Sequence, residues 1–138
     1  AVQTKRFNYI FNPWAAGGRK FQAAGQGTLS YREMVTLAET DPPTAKLLQQ
    51  YDYRVVEEFF DIEKDPDNLN NLIDNPDYKD EIAAHRAMLG EFMDKTNDPV
   101  FAAFRKREDS SYLDGFVEAQ QAEAFRRRHV TKEQDQSR

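Results

Sequence analysis

Cysteine is absent from all 138 residues. Disulfides, thiolate metal sites and cysteine nucleophiles are therefore excluded from this chain. Histidine is scarce too, with two residues, His85 and His129. Two histidines and no cysteine leave no nucleophile–base set to assemble from these residues alone. No apolar run approaches the roughly 20 residues that span a bilayer, so no membrane segment is read. No basic-then-apolar stretch of the signal-peptide type opens the chain. The first residue is Ala rather than Met, which is compatible with processing or with a cut from something longer. No Asn-x-Ser/Thr acceptor occurs. The compartment stays unassigned.

Apolar residues are few, at 39%, and mean hydropathy is −0.85. What is abundant is aromatic: 10 Phe, 6 Tyr and 1 Trp. Such rings bury large areas each, so a core is within reach of one domain of this length. Charge is uneven. Residues 1–54 hold seven Lys/Arg against four Asp/Glu, residues 55–98 four against thirteen, and residues 99–138 eight against seven. With a pI near 5.1 and no concentrated basic stripe, nucleic acid is not an expected partner.

The periodicities predict an α+β fold: a small antiparallel sheet packed against a long helix, with a further C-terminal helix. Residues 2–11 alternate, with Phe7, Tyr9 and Phe11 on one side, and read as one strand. Asn12-Pro13 ends it. Residues 12–27 hold four glycines without a period and read as a loop. Thr28 or Ser30 is a helix cap, with Glu33 in capping-box spacing from Ser30. Asp41-Pro42-Pro43 stops that helix, and a second short one runs from Thr44 to about Tyr51. Residues 54–62 form the next strand, with Glu58, Phe60 and Ile62 on one face and Phe59 and Asp61 on the other. Asp65-Pro66 breaks it, and a short capped helix is expected after it. A long helix covers residues 77–96. Tyr78, Ile82, His85, Leu89 and Phe92 share one face of it, and Met93 widens that face. Residues 110–128 form the last helix. The expected core is Phe7, Tyr9, Phe11, Phe60, Ile62, Ile82, Leu89 and Phe92. Three regions follow: a compact subdomain over 1–99, a helical extension over 100–129 and a polar, frayed tail over 130–138.

The stretch Glu58-Phe59-Phe60-Asp61-Ile62-Glu63-Lys64-Asp65-Pro66, closed by Asn71-Leu72, has the form E-[LF]-[YF]-D-[LI]-x-x-D-P-x-x-x-x-N-L. It resembles the C-terminal signature of the sulfatase family. Thr4-Lys5-Arg6-Phe7-Asn8-Tyr9-Ile10 is similar to the family's T-x-[RK]-[YF]-K-Y-I strand. Phe92-Met93 through Thr96-Asn97-Asp98-Pro99 is similar to its closing W-x-x-x-T-x-D-P. The resemblance covers residues 2–99. The long insert over residues 12–53 is most similar to the heparan N-sulfatase (sulfamidase) branch. The resemblance implies a C-terminal subdomain whose sheet is completed by strands from upstream. It also implies a parent that hydrolyses sulfate esters or N-sulfates of sugars with formylglycine and Ca²⁺. The nucleophile motif [CS]-x-P-x-R is not in this sequence. No catalytic, cofactor or metal residue is therefore carried over. The implied role is to wall the cleft. The implied partner is the missing catalytic domain or a second copy, and the isolated chain is expected to be a homo-oligomer. The alternative is a stand-alone, non-enzymatic interaction module.

Four residues are candidates for a substrate cleft: Trp14, Arg19, Lys20 and Arg54. Trp14, Arg19 and Lys20 offer a stacking ring and two cations to a sulfated sugar. The competing reading is a loop that packs Trp14 for stability, with Arg54 in an ordinary ion pair to Glu57 or Glu58. The acidic series Asp61, Glu63, Asp65 and Asp67 has Pro66 where a calcium loop of the EF-hand type needs Gly. It reads as a solvated capping loop. His85 reads as a packed, hydrogen-bonded histidine. His129, beside Arg126-Arg127-Arg128, reads as the basic end of a helix.

Overall fold

The computed structural model describes the backbone of residues 1–136 and the side chains of residues 1–127. The fold is α+β. Its elements are β1 (Val2–Gln3), β2 (Phe7–Phe11), α1 (Leu29–Leu37), α2 (Pro42–Asp52), β3 (Glu57–Asp61), α3 (Lys79–Lys95), α4 (Phe101–Arg105) and α5 (Ser110–Gln136). Short 3₁₀ turns lie at Pro13–Gly18, Ala24–Gly27 and Pro76–Tyr78. The sheet is antiparallel in the order β1-β2-β3.

The single strand expected over residues 2–11 is a hairpin. Thr4 is the cause. Its Oγ1 accepts from the Phe7 N–H at 3.0 Å, and its own N–H donates to the Phe7 carbonyl at 2.8 Å. A threonine hydroxyl that captures a nearby main-chain group turns the chain. β1 then folds back with Val2 opposite Tyr9.

β2 and β3 pair as expected, with Tyr9 opposite Phe59 and Phe11 opposite Glu57. That register sets the faces. Phe7, Tyr9, Phe11, Glu57, Phe59 and Asp61 share the side on which α3 packs. Phe59 therefore belongs to the main core, 5.1 Å ring to ring from Phe7 and 5.3 Å from His85. Phe60 is also fully buried, but on the opposite face and outside the main cluster. Ile62 is half-buried. The face assignment of β3 is thus corrected: both faces are covered, and Phe59 rather than Phe60 meets the helix.

No helix follows Asp65-Pro66. Asn68 adopts φ +54°, a left-handed conformation that interrupts a helix. The chain returns along the outer edge of β3 instead. Asn71 Oδ1 accepts from the Phe59 N–H at 2.9 Å, and the Leu72 N–H donates to the Phe59 carbonyl at 2.7 Å. Asn71 Nδ2 reaches the Glu57 carbonyl at 3.2 Å. The Asp61 carboxylate, buried on the α3 face, accepts from Arg6 Nη2 at 2.9 Å and from the Tyr78 hydroxyl at 3.4 Å.

α3 buries Ile82, His85, Leu89 and Met93. Phe92, expected in the core, is 61% exposed. Met93 takes the inward position one turn after Leu89, and Phe92 falls at the margin of the stripe. His85 is packed as expected. Its Nδ1 donates to the Glu81 carbonyl at 2.7 Å, and Thr4 Oγ1 lies 3.4 Å from Nε2. α4 lies close on α3 at Gly90, where an added Cβ would stand 3.2 Å from the Phe104 ring. Leu113 and Val117 of α5 are buried as well. α1 starts at Thr28, whose Oγ1 accepts from the Tyr31 N–H at 3.3 Å. Of the two expected caps, Thr28 is the one used. α5 runs on through Gln136, across most of the expected tail, and Ser137 and Arg138 lie outside the described residues, as does the His129 side chain.

Truncating a ring packed on every side removes its contacts and leaves a cavity. Phe59→Ala and Leu89→Ala should each lower unfolding free energy by about 3 kcal/mol in denaturant titrations. Phe92→Ala should stay within about 0.5 kcal/mol of the parent chain.

Candidate functional site: a groove between the Trp14 turn and α5

β2 ends at Asn12-Pro13. The Asn12 N–H donates to the Val56 carbonyl at 2.8 Å, and its side-chain amide donates to Glu58 at 2.9 Å. The chain must then reverse tightly, and Gly17 and Gly18 take φ +72° and +63° to do so. Gly17 is constrained twice. A Cβ there would sit 2.7 Å from Asp114 Oδ1 and 2.9 Å from Arg19 Nη1. Those two side chains form an ion pair that pins the turn to α5, and Arg19 Nη1 also donates to the Ala16 carbonyl at 2.6 Å. Trp14 packs on Phe116 of α5 with ring centroids 5.7 Å apart.

Between this turn and α5 lies a groove of about 610 Å³. Trp14, Arg19, Lys20, Phe21 and Gln22 form one wall, and Val117, Gln120, Gln121 and Ala124 the other. Three of the four candidate residues therefore meet in one place. Arg54 does not join them. It lines an adjacent hollow of about 270 Å³ with Asn12, Phe21, Ala23 and Tyr51, and pairs with Glu58 at 2.6 Å. Phe21 borders both spaces.

The cations of the groove are internally paired. Arg19 is held by Asp114. Lys20 Nζ lies 2.7 Å from Asp52 and donates to the Tyr31 hydroxyl at 2.9 Å. The hydrogen bond to Asp52, then that to Tyr31, raises the Lys20 ammonium above its ordinary range. Asp52 also accepts from Gln26 Nε2 at 2.9 Å and from the Tyr31 hydroxyl at 3.0 Å. Burial alone pushes the Asp52 carboxyl up. The hydrogen bonds from Lys20, Gln26 and Tyr31 together outweigh it and hold the carboxyl below the usual range. Asp52, Asp114 and Gln26 were not among the residues singled out from the sequence. One signal pointed to Asp52: a carboxylate in the last turn of a helix opposes the helix dipole and needs a compensating partner.

The groove offers two aromatic rings and three glutamine amides, and holds its two cations in ion pairs. It contains no nucleophile–base pair, and His85 lies apart from it in the core. Among the described residues no group of three His, Asp or Glu is arranged to hold a metal ion. Asp61 faces Arg6, and Asp65 Oδ2 accepts from the Asn70 N–H at 2.7 Å. Among the described residues no helix is long and apolar enough to cross a membrane. Comparison with protein-family models, with curated proteins and with solved structures finds no match to this chain.

Gly17→Ala forces a strained left-handed alanine against the Arg19–Asp114 pair. It should lower stability by on the order of 1–3 kcal/mol. It should also shift the emission of Trp14, the sole tryptophan. Acid should act on the same region through Asp52. Its lowered carboxyl contributes stability in full above the unfolded value of about 4, and that contribution is lost as pH falls through the folded value. Denaturant midpoints measured from pH 7 to pH 3 should fall below about pH 4, and Asp52→Asn should flatten that limb.

Proposed function

We propose that this chain is the C-terminal part of a sulfatase-type hydrolase, inert by itself, which walls the cleft of a catalytic portion. The parent enzyme would hydrolyse sulfate esters or N-sulfates of sugars. The observation that carries the reading is the use the fold makes of the signature stretch. Phe59 fills the α3 face, Asp61 anchors Arg6, and Asp65-Pro66 turns the chain. Asn71-Leu72 then closes the edge of β3. Phe59, Asp61, Asp65, Asn71 and Leu72 of the motif each make a structural contact within one sheet-and-helix unit.

In this reading the formylglycine and Ca²⁺ of the parent belong to its catalytic portion. Asp61 of the acidic loop faces Arg6 and Asp65 accepts from the Asn70 N–H, and the nucleophile motif is absent. The chain's own contribution is the groove. Trp14 supplies a ring face, and Arg19 and Lys20 meet an anionic sugar by exchanging Asp114 and Asp52 for it.

The sheet supports a partner on one side only. The β3 edge is closed by Asn71-Leu72. On the other side β1 pairs with β2 over Val2–Tyr9 and Gln3–Asn8. A strand of the catalytic portion fits there by edge addition. Phe7 and Phe59 are buried rather than uncovered at a sheet edge. The second reading is a non-enzymatic module that pairs with a copy of itself.

Intact-mass measurement of the native gene product separates the two readings. A product several times 16.0 kDa, with [CS]-x-P-x-R upstream, supports the hydrolase. A product of 16.0 kDa that sediments as a dimer supports the module. The isolated 138-residue chain should show no turnover of an aryl sulfate or of N-sulfoglucosamine, with or without Ca²⁺. Activity that follows the chain through successive columns would overturn the assignment of the chemistry to another segment.

A further inference from the structure

The helical period decides which residues α5 turns toward the groove. Val117, Gln120, Gln121 and Ala124 are spaced so that they share one side of the helix, and all four line the space. Val117 is buried and closes the floor. Ala124 is short and leaves the groove open. Between them Gln120 and Gln121 are exposed, as is Gln22 on the facing wall. None of these three side-chain amides bonds another described residue.

The facing wall adds two rings. Trp14 is 41% exposed and Phe21 43% exposed. Arg19 and Lys20 lie between them in sequence, yet each already holds a carboxylate, Asp114 and Asp52 respectively. Asp52 is buried, and a buried carboxylate that loses its cation is strongly disfavoured. Before any exchange of partners, what the groove presents is therefore uncharged: two ring surfaces and three unpaired amides. A purely aliphatic ligand would leave those amides without partners. An anion would meet the two carboxylates that already hold the cations.

We infer that the groove holds an uncharged sugar unit, the neighbour of the sulfated unit in a longer saccharide. A pyranose carries C–H groups on one face, which the electron-rich face of an aromatic ring attracts. Its rim carries hydroxyls that both donate and accept. A glutamine amide also does both, from one planar group, so it matches a pair of adjacent hydroxyls. Apolar walls with a few placed amides are the usual composition of a small-ligand site, and such sites measure about 300–1,000 Å³. The groove, at about 610 Å³, lies within that range and is larger than one pyranose fills. This inference rests on the reading of the groove as a wall for sugars. It adds that the ligand is an oligosaccharide, gripped through an uncharged unit by Trp14, Phe21 and the glutamines, rather than a lone sulfated monosaccharide gripped by cations.

The test is titration of the whole 138-residue chain with three uncharged disaccharides: cellobiose, lactose and N,N′-diacetylchitobiose. Trp14 emission and the NMR signals of the glutamine side-chain amides are the readouts. At least one disaccharide should saturate both in the millimolar range, with an affinity that stays the same when salt is raised to about 0.5 M. Gln120→Ala and Gln121→Ala should each weaken it by about three- to tenfold. Both positions are exposed on a helix, so the thermal midpoint should not move. Trp14→Ala, followed by NMR alone, should weaken it further. Should Trp14→Ala fail to fold, the two glutamine variants decide the matter. Absence of binding by all three disaccharides overturns the inference, as does binding that ignores both glutamine substitutions or falls steeply with salt. A separate titration with N-sulfoglucosamine distinguishes the two levels. If it binds and the uncharged disaccharides do not, this inference falls and the hydrolase reading stands. If the disaccharides bind and the native product is only 16.0 kDa, the hydrolase reading falls and this inference stands.

Discussion

Strand β3 is five residues long, lies last in the sheet and is covered on both faces. Such a strand presents main-chain donors and acceptors that water cannot reach, and each must find a partner within the protein. Asn71 and Leu72 supply those partners on the outer side, and β2 supplies them on the inner side. Only with the edge closed can Phe59 and Phe60 be buried back to back. The acidic ends of the strand follow the same rule. Glu57 is met by the Tyr9 hydroxyl at 2.6 Å and by two nitrogens of Arg86 at 2.8 Å, and Asp61 by Arg6. Buried carboxylates without such pairing would destabilise the fold by several kcal/mol each.

Two kinds of adhesion divide the molecule. The sheet, α3, α4 and the first turns of α5 share one aromatic and aliphatic core. Within residues 20–54 the buried Asp52 carboxylate gathers its donors Lys20, Gln26 and Tyr31. Apolar contact is non-directional and tolerates small shifts. A hydrogen-bonded ion-pair hub is directional and is lost as a set when its centre is removed. The groove sits where the two kinds meet. One of its cations is tied to α5 through Asp114, and the other to α2 through Asp52.

Local signals located most elements correctly. The proline breaks at Pro13, Pro42 and Pro76 fall at the starts of elements, and Pro99 lies between α3 and α4, while the stripe Ile82, His85, Leu89 does face inward. What failed is equally specific. Period-two reading names two faces but not which one meets the helix, and with Phe59 on one and Phe60 on the other the choice was open. The helix expected after Pro66 was displaced by Asn71, whose side chain bonds a strand twelve residues earlier. Met93 and Phe92 compete for one edge of a stripe, and angular position decided between them.

The sequence by itself determined that this is an α+β chain without thiol chemistry, and that Trp14, Arg19 and Lys20 lie together. The reason is physical: these properties follow from composition, from short-range periodicity and from residues within one turn of chain. Tertiary structure alone decided who their partners are. Arg19 meets Asp114 across 95 positions, and Lys20 meets Asp52 from another helix. No periodicity encodes such contacts, because they depend on how β2, β3 and α5 pack. That packing turned two cations that look available in the sequence into paired ones, and made Asp52, which shows no motif, the partner of Lys20.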